Sequence, residues 1–71
     1  MAEKYRVVVA EERMSFWGGQ NMVRVMHIDG YTTDGFPFTV EIPIGEASKD
    51  NIDSAIQERI SYIRSILQLG M

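Results

Sequence analysis

The stretch Phe36 to Ile60, FPFTVEIPIGEASKDNIDSAIQERI, changes its hydrophobic period halfway along. From Phe36 to Ile44 every second residue is apolar: Phe36, Phe38, Val40, Ile42 and Ile44 fall on one side, and Pro37, Thr39, Glu41 and Pro43 on the other. Alternation of this kind belongs to a strand with one buried face. The two prolines lack an N–H for a ladder, which places the strand at a sheet edge. From Ser48 onward the spacing lengthens to about 3.6, the repeat of an amphipathic helix. Ile52, Ile56, Ile60, Ile63 and Leu67 form one stripe, and Ala55, Tyr62, Ile66 and Leu69 form a second beside it. Ser48 or Asp50 is placed to cap the helix start, Asp53 to favour its positive end, and Gly70 to stop it.

Upstream, Tyr5 to Glu12 (YRVVVAEE) and Met22 to Ile28 (MVRVMHI) are rich in β-branched residues and read as two further strands. Gly18-Gly19 marks the turn between them. Thr32 to Gly35 (TTDG) has the chemistry of a type I turn followed by a left-handed glycine, the usual signature of a bulged hairpin loop. Short hairpin connections favour neighbour pairing. The expected fold is therefore α+β: a three-stranded antiparallel β-meander followed by one C-terminal α-helix packed on one face (βββα), in a single small domain spanning 1–71.

Pairing Trp17 with Asn21 puts the even-numbered residues of all strands on one side. Val8, Ala10, Met14, Phe16, Met22, Met26 and Ile28 then join the even side of the third strand as the bed for the helix, and Phe16 closes the core. The opposite side receives Tyr5, Val7, Val9, Trp17, Val23, Val25 and Tyr31, mixed with Glu11, Arg13, His27, Thr39 and Glu41. A sheet covered on one side alternates cleanly. The first two strands do not, and monomers rarely expose a large apolar patch. The odd side is thus expected to be an interface, extended by the helix residues Arg59, Tyr62 and Ile66.

Composition narrows the function classes. A chain of 71 residues buries only about 60% of the surface its unfolded form exposes, so it gains from an added staple. With no cysteine and one histidine, disulfides, thiolate zinc and histidine-rich metal sites are excluded, leaving association. No metal and no cofactor are expected. The seven basic and ten acidic residues are dispersed, with a net charge of -3, which argues against nucleic acid as partner. There is no run of about 18 apolar residues, so no membrane partner is expected and a cytoplasmic location is.

No constellation carries chemistry. His27 and Asp29 share one side of a strand without a second histidine or a nearby nucleophile. DGYTTDG (29–35) lacks the terminal glutamate of a calcium loop, and Gly18-Gly19 lacks the lysine and the following helix of a phosphate loop. The sequence therefore predicts a non-catalytic protein-protein interaction or assembly module that self-associates, a dimer being favoured, or binds another protein. The alternatives are a nucleic-acid-binding sheet using Arg6, Arg13 and Arg24, or a small acidic inhibitor of a nucleic-acid-binding enzyme.

Overall fold

The computed structural model describes residues 3–17 and 21–69, with Trp17 described by its backbone alone. Strands β1 (Tyr5–Trp17), β2 (Asn21–Thr32) and β3 (Pro37–Pro43) form one antiparallel sheet in the order β1-β2-β3. A single 3-10 turn (Ile44–Glu46) leads into helix α1 (Lys49–Leu69). This is the βββα meander, with the period change at Ile44 marking the boundary between sheet and helix.

The turn chemistry is realised as expected between β2 and β3. The Gly35 N–H donates to the Thr32 carbonyl at 3.0 Å, the Thr32 N–H donates to the Phe36 carbonyl at 2.9 Å, and Gly35 has φ +92°. A side chain at that φ would be strained, which is why glycine closes the bulged loop. At the helix start, the Ser48 hydroxyl accepts the Asn51 N–H at 3.1 Å and so acts as the cap. Gly18, Gly19 and Gly70 lie outside the described residues.

The core is assembled from three elements: Ile28 on β2; Phe38, Val40 and Ile42 on β3; and Ile56 and Ile60 on α1. Ile56 and Ile60 are fully enclosed, and each contributes about 1.5–3 kcal/mol by leaving water. Burial then fades along the helix stripe. Ile63 is half-buried and Leu67 exposed, because the C-terminal turns run past the sheet.

The register confirms Trp17 opposite Asn21 and keeps the expected parity from there back to Val9 opposite Asp29. A bulge between Val7 and Val9 then shifts the pairing by one, so that Val7 faces Gly30 and Tyr5 faces Thr32. Direct partners point to the same side. Tyr5 and Val7 therefore lie on the helix side, correcting their expected place on the odd side, and Arg6, opposite Tyr31, turns away from it. Tyr5 packs against the core and meets the Phe38 ring edge-on, with centroids 5.8 Å apart. Gly30 is obligatory beneath this pair: a Cβ there would stand 2.2 Å from the Arg6 carbonyl oxygen and 2.6 Å from Phe38 Cζ.

Candidate functional site

Three strand rows build the odd side of the sheet: Arg13–Val25–Pro43, Glu11–His27–Glu41 and Val9–Asp29–Thr39. His27, on the central strand, is buried, and both its ring nitrogens meet carboxylates. Nδ1 lies 2.8 Å from Glu41 Oε2 and Nε2 lies 3.1 Å from Asp29 Oδ2. Two carboxylate acceptors favour the doubly protonated ring. The Glu41 hydrogen bond is the main cause that raises the His27 pKa, burial opposes it, and Asp29 adds to it. In turn, His27 and then Ser15 lower the Glu41 pKa against desolvation. Asp29 is lowered chiefly by the Thr39 hydroxyl, which donates to Oδ1 at 2.7 Å, and secondarily by His27.

The Ser15 hydroxyl donates to Glu41 Oε1 at 3.1 Å. Ser15 stands opposite Val23 on β1, and Glu41 stands opposite His27 on β3, so this bond crosses the central strand at Val25. Val25 is 0% exposed although it is no part of the helix-side core. Arg13 and Pro43 flank it in its row, and the Ser15–Glu41 bond spans the strand at its level. Glu11 and Arg13 are paired beside it.

This overturns the apolar character expected of the odd side. Val25 is interior to the single chain, Val9 and Val23 are half-buried, and among the described large apolar side chains expected there only Tyr31 is exposed on this side. The side chain of Trp17 lies outside the described residues. His27 and Asp29 do come together, as their spacing implied, but sequence reading missed Glu41 and Ser15. The available signal was that Glu41 sits on the polar side of β3, at the height of a histidine on β2.

The exposed apolar surface lies on the helix side instead. β3 pairs with β2 only from Val25 to Tyr31, so the far half of the β1–β2 hairpin extends beyond both β3 and the helix. There Met14 is 56% exposed, Phe16 68% and Met22 49%, with Phe16 directly opposite Met22. Phe16 does not close the core, contrary to expectation, because α1 packs over β3 and leaves this end uncovered. On the helix, Tyr62 and Ile66 are exposed, and Arg59 lies over the Tyr62 ring at 5.4 Å.

The helix is tied to the sheet by polar contacts that periodicity could not reveal. Arg64 holds Asp34 through Nη1 and Nη2 at 2.8 and 2.9 Å, and holds Glu3 through Nη2 at 2.8 Å. The guanidinium lies 5.8 Å from the Phe36 ring. These hydrogen bonds hold both carboxyls below their usual range and raise the Arg64 pKa. Nearer the helix start, the Tyr5 hydroxyl donates to Asp53 at 2.7 Å; that bond, with burial, pushes its pKa up to about 12.

Among the described residues no cluster of three metal-ligating side chains is present, and no helix is long and apolar enough to cross a membrane. In comparison with known proteins, no family model, curated protein or solved structure matches this chain.

Proposed function

We propose that this chain is a non-catalytic assembly module that self-associates, a dimer being favoured, through the helix-side surface of its extended hairpin. The observation that carries this reading is Met14, Phe16 and Met22, large apolar side chains about half or more exposed on one face. Surfaces of this kind mark places where chains meet. Phe16 is the natural anchor, since aromatic residues dominate the binding energy of interfaces. The exposed helix residues Arg59, Tyr62 and Ile66 form a second patch, toward the end of the sheet where Arg64 bonds Glu3 and Asp34, while half-buried Tyr5 and buried Val25 leave the proposed interface.

The histidine network supports a structural role over a reactive one. A general base needs a free ring nitrogen, and both nitrogens of His27 face carboxylates. The Ser15 hydroxyl points to Glu41 and not to the imidazole, so no nucleophile is paired with a base. The nucleic-acid alternative is weakened by the arginines. Arg24, opposite Met14, lies on the helix side, whereas Arg13 and Arg6 lie on the other.

Light scattering after size exclusion over a concentration series tests the reading, comparing wild type with Phe16→Ser. Wild type is expected to gain mass with concentration, and Phe16→Ser to stay monomeric with an unchanged circular dichroism spectrum. Wild type remaining monomeric throughout would overturn it.

A further inference from the structure

The two edges of the sheet are protected very differently. β3 is short, carries Pro37 and Pro43 at its ends, and lies under the helix. β1 has 13 residues, contains neither proline nor glycine, and pairs only with β2. Its protection is confined to charged side chains and to the bulge between Val7 and Val9 near its start, and a long edge that is regular beyond that point is a template for another strand. From Val9 onward its pairing with β2 is regular.

We infer that two copies of this chain join through their β1 edges, antiparallel and centred on Glu12, into one six-stranded sheet. The inference rests on the self-association proposed above and adds its geometry. Charge order selects the register. Centred on Glu12, Glu11 of each copy stands opposite Arg13 of the other, making two symmetric attractive pairs. Each of the three centres, Glu11, Glu12 or Arg13, opposes two like charges at the axis, which is destabilising, and only the Glu12 centre offsets that repulsion with two attractive pairs. A shift by a single position changes both centre and neighbours in this way, so no adjacent register keeps both attractive pairs.

The same register brings exposed apolar residues of β1 together, with Met22 on β2 one strand in from the joined edge. Met14 of one copy comes opposite Ala10 of the other, and Phe16 reaches the level of Val8, itself exposed. The two-fold axis runs perpendicular to the sheet, so both helices lie on the same side. One repulsion remains: the two Glu12 side chains meet at the axis. This gives the arrangement a signature that other interfaces would lack.

The chain has no native cysteine, so Glu12→Cys introduces a single thiol at an exposed position. Directly opposed residues in an antiparallel pair have Cα atoms about 4.5–5.5 Å apart, within reach of a disulfide. Under mild oxidation, Glu12→Cys is expected to form a covalent dimer at least about tenfold faster than the exposed helix control Glu58→Cys. In light scattering, Glu12→Gln is expected to tighten the dimer about two- to fivefold by removing the axial repulsion. Dimers in which Glu12→Cys links no faster than Glu58→Cys, or which Glu12→Gln loosens, would overturn the β1 pairing and leave self-association standing. Wild type monomeric at every concentration would overturn both. Circular dichroism of each variant establishes that the fold is retained.

Discussion

Val25 and Phe16 make the sharpest test of how this sheet is organised, because the structure exchanges their expected roles. Val25 is 0% exposed beneath the Ser15–Glu41 bond, and Phe16 is 68% exposed on the hairpin extension. Val25→Ala removes two methyl groups at about 0.8 kcal/mol each, plus a cavity term, for a total of about 2 kcal/mol. For a domain of this size that lowers Tm by about 8–16 °C. Phe16→Ala gives up only the buried third of a side chain whose full burial is worth about 3 kcal/mol, so it costs about 1 kcal/mol or less. The assay is urea and thermal unfolding at low protein concentration, where association contributes nothing. If Phe16→Ala destabilised the monomer as much as Val25→Ala, the helix would have to cover the hairpin end. The assignment of the two faces would then be wrong.

Stability should also vary with pH through His27, the sole histidine. Its folded pKa lies above 6.5, so its stabilisation is complete below 6.5 and is lost as pH rises through the raised value. Glu41 and Asp29 are held below 4.5 and 3.8, so their stabilisation is complete above those values and is lost as pH falls through the lowered ones. The network's contribution is therefore greatest between about 4.5 and 6.5, and an NMR titration of the imidazole in Glu41→Gln should return its pKa toward 6.5. Arg64→Gln should speed amide exchange in the last turns of α1, with less effect in high salt, because the lost contacts to Glu3 and Asp34 are partly exposed ion pairs. Gly30→Ala should cost about 3 kcal/mol or more in urea unfolding, since one clash is with backbone that cannot rotate away.

The odd side of the sheet explains why mixed patterning misleads. Valines among charged residues resemble an exposed apolar face when only their order is known. In the fold, a central-strand residue such as Val25 has neighbours on both flanking strands, and long polar side chains can close over it. Burial on β2 is thus set by strand order as well as by side-chain polarity. For the same reason His27 acquires Glu41 from a strand 14 residues away, a partner that no local spacing announces.

By itself, the sequence determined the order of elements, the antiparallel meander, the TTDG loop with its left-handed Gly35, a helix cap at Ser48 or Asp50 and the core stripe of Ile56 and Ile60. Each depends on local propensity or on a short period, and both are written in neighbouring residues. Tertiary structure decided the rest. One bulge between Val7 and Val9 reversed the sides of Tyr5 and Val7, because side chains on a strand alternate and a single extra residue inverts everything beyond it. The reach of the helix over β3 decided that Phe16 is surface, and the polar side chains that meet across the opposite side decided that Val25 is interior, since cover depends on where elements and side chains end in space.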